Sequence, residues 1–185
     1  MSGRYKELQY WDSRYEEEER GHEWFGSYHD FAHLVRRELR PGTRGLVLGC
    51  GTSSLSAELH KEGVRPLVSI DYSPVCIKEM AQRNACVPDM SWMVMDARHL
   101  QFPDETFDLV IEKGTLDAMM VDEKDPWRVS QDTITLVDQV LSEVSLWVYN
   151  YYYESTNNLQ IVNNITIENG ISKQILSEPD EHNTK

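Results

Sequence analysis

Apolar residues in this chain fall into two rhythms that alternate along its first 145 positions. Trp24, Phe25, Tyr28, Phe31, Ala32, Val35 and Leu39 recur at three- and four-residue spacing, which predicts an amphipathic helix closed by Pro41-Gly42. Leu46-Val47-Leu48 is a short apolar strand ending in Gly49-Cys50-Gly51, and Ser53 to Lys61 reads as a helix closed by Gly63. Leu67 to Ile70 is a second strand, ending at Asp71. Ser73-Pro74 then supplies an N-cap and a first-turn proline for a helix running to about Asn84. Trp92 to Met95 is a third strand ending at Asp96, and Phe107 to Ile111 a fourth ending at Glu112. Val129 to Val144 is a long helix with Ile134, Val137, Val140, Leu141 and Val144 on one face.

Strands alternating with helices predict an α/β fold built from βαβ units around a mostly parallel sheet. Ligands of such sheets sit beyond the carboxyl ends of the strands. Gly49, Gly51, Asp71, Asp96 and Glu112 all fall at those ends. After Ser145 the composition changes: a Tyr-Tyr-Tyr run, paired asparagines and a polar stretch from Glu178 to Lys185 replace the strand–helix rhythm. Residues 1–145 therefore read as one domain and 146–185 as a divergent, poorly ordered tail. Leu159 to Ile167 has strand character without an evident partner. Asn164-Ile165-Thr166 is a formal glycosylation sequon, discounted because Met1 to Tyr10 lacks the apolar core of a signal peptide.

Composition narrows the functional classes. The 185 residues carry 31 acidic and 18 basic side chains, a net charge of −13. That opposes direct nucleic-acid binding, which needs a basic footprint, and suits a basic protein partner or a small ligand. No apolar run reaches membrane-span length. Three cysteines, Cys50, Cys76 and Cys86, form no CxxC pair, so neither a disulfide framework nor a zinc site is expected, and a reducing cytoplasmic setting fits. A monomer is expected.

The strand-end residues suggest a specific ligand chemistry. Glycines between a first strand and its helix let backbone approach a ligand closely. Asp71, twenty residues past Gly51, can accept hydrogen bonds from both hydroxyls of an adenosine ribose, or simply cap the helix at Pro74. Asp96 can meet an adenine amino group, with Ala97 offering backbone contacts, or be an ordinary turn residue. A dinucleotide fingerprint would place a third glycine where Ser54 stands, so a pyrophosphate is not demanded. The choice tilts from NAD toward S-adenosylmethionine.

Val47 to Gly51, Ser69 to Ser73, Met95 to Arg98 and Phe107 to Asp117 resemble the ordered motifs of seven-strand S-adenosylmethionine-dependent methyltransferases. The Glu112-Lys113-Gly114-Thr115-Leu116-Asp117 segment and the opening Tyr10-Trp11-Asp12-Ser13-Arg14-Tyr15 are similar to the branch that methylates lysine on translation elongation factor 1-alpha. The resemblance covers about residues 8–145. It implies a Rossmann-like three-layer fold with S-adenosyl-L-methionine as cofactor. By the same resemblance Trp11, Tyr15 and Trp24 close over the cofactor, and Gly49 lies under its methionine part. Asp71 and Tyr72 hold the ribose and flank the adenine, Asp96 and Ala97 contact the adenine, and Lys113 reaches the cofactor from the fourth strand.

Physical chemistry leaves some of these roles open. Aromatic faces attract a sulfonium cation, yet Trp11, Tyr15 and Trp24 could equally pack against the sheet. Lys113 could pair with the methionine carboxylate or be a solvated surface lysine. Glu112 and Asp117 are the candidate catalytic pair, positioning a substrate ammonium, or else they cap the turn after the fourth strand. The family pattern continues past Ser145 with three more strands that this sequence does not show, which leaves the fourth strand as an exposed edge unless the tail covers it. A truncated or alternative C-terminal end is the expectation. Three functions compete: a protein-lysine methyltransferase, a non-catalytic form that binds cofactor or partner only, and an NAD-binding oxidoreductase.

Overall fold

The computed structural model of the chain describes residues 3–17, 21–121, 131–143, 148–153, 159–162, 165–168 and 171–174. A parallel sheet forms its centre. Strands β1 (Gly45–Leu48), β2 (Leu67–Asp71), β3 (Met90–Val94), β4 (Leu109–Glu112) and β5 (Val148–Tyr153) all run the same way, and β6 (Leu159–Val162) lies antiparallel to β5. The order across the sheet is β3-β2-β1-β4-β5-β6, so the order in which strands are added switches side between β1 and β4. Strands β7 (Ile165–Glu168) and β8 (Ile171–Gln174) make a separate antiparallel pair.

Side chains alternate across each strand, and here both faces are covered. Val47, Leu109 and Ile111 point into a core built with Phe31 and Val35 of α2 (Tyr28–Glu38), Leu59 of α3 (Leu55–Lys61) and Met80 of α4 (Pro74–Arg83). Leu46, Leu48, Ile70 and Val110 point the other way, toward Leu116 of α5 (Thr115–Met120) and Leu136 of α6 (Gln131–Glu143). The result is the expected three-layer α/β arrangement.

Several boundaries differ from the periodic pattern for identifiable reasons. The helix expected from Trp24 begins at Tyr28, because Phe25 and Gly26 adopt φ of +57° and +96° and cannot belong to a right-handed helix. Ser27 and Asp30 then form a capping box, the Ser27 N–H donating to Asp30 Oδ2 at 2.8 Å. Leu8–Glu17 is a helix, α1, in a stretch with too few apolar residues to announce one; its buried side chains are Trp11 and Tyr15, four apart on one face. Thr115–Met120 is likewise a helix that the pattern does not announce.

The tail covers the β4 edge: β5 pairs with it in parallel, Val110 opposite Val148 and Glu112 opposite Asn150. Leu159–Val162, anticipated as a strand without a partner, pairs with β5 rather than β4. Val129, Ser130 and Val144 of the expected long helix, and the polar end from Glu178 to Lys185, lie outside the described residues. So do the side chains of Val137, Val140 and Leu141. Among the described residues no helix is long and apolar enough to cross a membrane.

Candidate functional site

The β1–α3 turn is shaped by its two glycines. Gly49 and Gly51 adopt φ of +53° and +49°, a region where a Cβ collides with its own backbone. At Gly49 space is also lacking, since an added Cβ would lie 1.9 Å from Thr115 Oγ1. At Gly51 the nearest atom is the Tyr15 hydroxyl, at an ordinary 3.4 Å.

Asp71 at the end of β2 holds this turn in place. Its Oδ2 accepts from the Gly51 N–H at 3.0 Å and its Oδ1 from the Ser73 N–H at 2.9 Å. The side chain is 3% exposed, and burial pushes its carboxyl above the usual range although both N–H bonds oppose the shift. Ser73 in turn caps α4, accepting from the Cys76 N–H at 3.1 Å, and its hydroxyl donates to Asp12 on α1 at 2.5 Å.

A cavity of about 400 Å³ opens over the carboxyl ends of β3, β2, β1 and β4, within the usual size of small-molecule sites. Gly49, Gly51, Asp71 and Tyr72 line it from the ends of β1 and β2, and Asp96 and Ala97 from beyond β3. Lys113 and Asp117 line it from beyond β4, and Trp11, Tyr15 and Trp24 from the N-terminal segment. Neighbouring strands are about 4.8 Å apart, so these four ends span about 14 Å, room for an elongated ligand.

Asp96 is engaged as it faces the cavity. Arg98 donates to it from its backbone at 2.9 Å and from its guanidinium at 2.6 Å, and also reaches Asp132 at 3.0 Å. Burial alone would raise the Asp96 carboxyl, but the Arg98 hydrogen bonds and charge outweigh it and hold it below the usual range.

The N-terminal segment forms an aromatic wall. Trp11 stacks on Tyr15 with centroids 5.7 Å apart and meets Trp24 edge-on at 6.0 Å. The Trp11 indole N–H donates to the Tyr5 carbonyl at 2.7 Å. The Arg14 guanidinium lies 5.0 Å from the centre of the Trp24 ring.

A surface position for Lys113 and a cavity position for Glu112 are corrected. Lys113 is neither a surface lysine nor a free cation. Its side chain is 3% exposed, and Nζ donates to Glu23 Oε2 at 3.0 Å, the Trp24 carbonyl at 2.8 Å and the Gly26 carbonyl at 3.2 Å. All three ammonium protons are thus spent on the chain itself. Glu112, the first candidate catalytic carboxylate, does not line the cavity and is 1% exposed. Its Oε1 accepts from the Thr115 N–H and from the Leu116 N–H at 3.0 Å, capping α5. Burial, with the charge of Asp117 adding, raises its pKa to about 7. Asp117, the second candidate, does face the cavity; among the described residues its buried Oδ2 has no hydrogen-bond partner, and burial raises its pKa.

Glu23 is the residue that pattern-reading missed. Its carboxylate accepts from Ser53 Oγ, the Ser54 N–H and Ser54 Oγ, each at 2.7 Å, as well as from Lys113. Burial would raise its pKa, but these hydrogen bonds outweigh it and lower the value. No local signal marks Glu23, because its partners lie 30, 31 and 90 positions away.

Cys50, Asp71 and Cys76 bring three potential metal-ligand atoms within 4.8 Å of one another. Both Asp71 oxygens already accept N–H bonds. The hydrogen bond with Cys50, then burial, pushes the Cys76 thiol strongly upward, away from the thiolate a metal needs. The trio reads as packing.

Comparison with known proteins bears on the same residues. A methyltransferase-domain family model matches residues 46–137. EEF1A lysine methyltransferase 4 of Mus musculus is 51% identical over 143 residues, 76% of this chain and 56% of that protein, so the chain spans little more than half the relative's length. The eEF1A lysine and N-terminal methyltransferase of Mus musculus is 39% identical over 137 residues, 73% of this chain and 19% of that protein. A solved structure of Haemonchus contortus phosphoethanolamine N-methyltransferase 1, with phosphoethanolamine and S-adenosylhomocysteine bound, superposes with a TM-score of 0.55. That match has 16% identity and covers 84% of this chain and 34% of the other, a likeness of fold alone.

Proposed function

The chain belongs to the methyltransferase-domain family, and from that membership we propose that it binds S-adenosylmethionine and transfers a methyl group to a lysine of translation elongation factor 1-alpha. One observation carries the reading. The glycine turn, Asp71, Asp96 and the aromatic wall, distant in sequence, face one cavity over four strand ends.

The residues present fit the cofactor. Asp96 and Ala97 beyond β3 suit an adenine, and the Asp71 carboxylate at the β2 end is an acceptor suited to a ribose hydroxyl. Gly49 and Gly51 leave the backbone bare beside the β1 end, and the faces of Trp11, Tyr15 and Trp24 suit a sulfonium. The cofactor supplies an already activated methyl carbon.

The chain's own work is alignment and exclusion of water, so proximity is the main source of rate. An incoming lysine ammonium must lose a proton, and among the described residues Asp117 Oδ2 is a cavity carboxylate oxygen placed to receive its hydrogen bond. A net charge of −13 suits a basic protein substrate through long-range steering. A cytoplasmic monomer acting on that substrate completes the proposal.

The test is methyl transfer from labelled cofactor to elongation factor 1-alpha, comparing the chain with Asp71→Ala, alongside calorimetry with S-adenosylmethionine and NAD. Expected are label on the factor with the unaltered chain, little with the variant, and heat only with S-adenosylmethionine. Equal label from both proteins would overturn the reading. Cofactor binding without turnover would retain the binding site and support the non-catalytic alternative.

A further inference from the structure

Cys50 stands between the two turn glycines and lines the cavity wall, while Cys76 is fully buried in the first turn of α4. Their sulfurs and an Asp71 oxygen lie within 4.8 Å of one another. The two thiols hydrogen-bond each other, and the Asp71 carboxylate accepts from the Cys76 thiol. Unsuited to a metal, this cluster still brings together what a disulfide needs: two sulfurs in contact and a neighbouring carboxylate to accept a proton. Burial raises the proton affinity of Asp71 and favours that role. The third cysteine, Cys86, is exposed and outside the cluster.

Of this pair Cys50 is the one that lines the cavity, so a small oxidant reaches the sulfurs through the ligand site. A disulfide fixes its sulfurs about 2.0 Å apart, closer than any hydrogen-bonded thiol contact, so forming it draws Cys50 toward α4. Cys50 cannot move alone. Its N–H donates to the Ile70 carbonyl at 2.9 Å, and the next N–H, of Gly51, donates to Asp71 at 3.0 Å. On its other side Gly49 is closed in by Thr115. The displacement therefore passes into the backbone that faces the cavity.

Resting on the cofactor reading above, we propose that Cys50 and Cys76 form a redox switch in the β1–α3 turn: a hydroperoxide closes them into a disulfide that pulls the turn out of its ligand-binding shape, and a thiol reductant reopens it. With hydrogen peroxide, the Cys50 sulfur takes one oxygen as the O–O bond breaks, giving a sulfenic acid and one water. Cys76 then yields its proton to Asp71 as its sulfur attacks that of Cys50. The S–S bond forms, the S–O bond breaks, and the departing hydroxide takes up the proton as a second water. Two thiols thus supply the two electrons that reduce one peroxide. A dithiol reverses the state by exchange, becoming a disulfide itself and returning both protons. A bound ligand covers Cys50 and slows the first step.

The full chain carrying Cys86→Ser, which removes the exposed thiol, is treated with hydrogen peroxide and read by peptide mass spectrometry and by calorimetry with S-adenosylhomocysteine. Expected are a cross-link between the Cys50 and Cys76 peptides and an affinity lowered about 10-fold or more, the scale of losing one hydrogen bond to a charged group. Dithiothreitol is expected to reverse both, and S-adenosylhomocysteine added before the peroxide to slow the cross-link. Both thiols remaining open to alkylation after peroxide overturns the proposal, as does a cross-linked chain with unchanged affinity. An equal fall in affinity when Cys76→Ala is added would assign the effect to oxidation of Cys50 alone and overturn the switch. If the reduced chain does not bind S-adenosylhomocysteine, the cofactor reading fails and the regulatory role with it, even where the cross-link forms.

Discussion

Lys113, one residue past the end of β4, donates to Glu23 at 3.0 Å across 90 positions of chain, and the same Glu23 carboxylate holds Ser53 and Ser54 at the start of α3. One ion pair therefore ties the aromatic N-terminal segment to two separate strand–helix turns. The wall of the cavity depends on it, because Trp24 sits between Glu23 and the backbone that Lys113 also grips.

Lys113→Met is expected to destabilise the fold by about 2–3 kcal/mol, somewhat below the usual loss for a broken buried pair, since Glu23 is partly exposed and keeps its serine donors. Urea unfolding measures it, and tryptophan fluorescence reports whether the segment lifts from the sheet. Unchanged stability with weakened ligand binding would instead make Lys113 a ligand-binding group.

Glu112 predicts a pH dependence with a definite sign. Its folded pKa of about 7 lies above the ordinary 4.5, so the native state binds this proton more tightly than the unfolded chain. The resulting stabilisation is full below the ordinary value and is lost as pH rises through 7. Glu112→Gln keeps an oxygen to accept from Thr115 and Leu116, and should gain on the unaltered chain by roughly 3 kcal/mol across that window. Unfolding curves at pH 5 and pH 8 check this; a pH-independent difference would contradict it.

The two turn glycines should respond unequally. Gly51→Ala carries only the left-handed backbone penalty of roughly 1–2 kcal/mol, because its Cβ would meet nothing closer than an ordinary contact. Gly49→Ala adds a collision with Thr115, and a Thr115 shift would break that hydroxyl's 3.3 Å bond to the Leu48 carbonyl. Thermal melts of both variants should rank Gly49→Ala clearly lower; equal melting temperatures would refute the ranking.

Asp117→Asn separates binding from turnover. It should leave cofactor affinity within about twofold while slowing methyl transfer on the order of 100-fold, the usual scale for removing a proton acceptor. The loss should appear in kcat. A matching loss of cofactor affinity would place Asp117 in the cofactor site instead.

The sequence by itself determined the parallel α/β core and the strand-end positions, because strand length, helix period and the residue after each strand are local properties. Gly49, Gly51, Asp71 and Asp96 were legible for that reason. Roles that depend on what a side chain meets across the fold were not. Glu112 follows a strand just as Asp71 and Asp96 do, yet its carboxylate turns inward to cap α5. Lys113 reads as a free cation until Glu23, Trp24 and Gly26 are brought against it. Likewise β5 covers the β4 edge through backbone hydrogen bonds, which leave no mark on side-chain pattern. Tertiary structure decided these points because burial and partnership join residues that no local window contains.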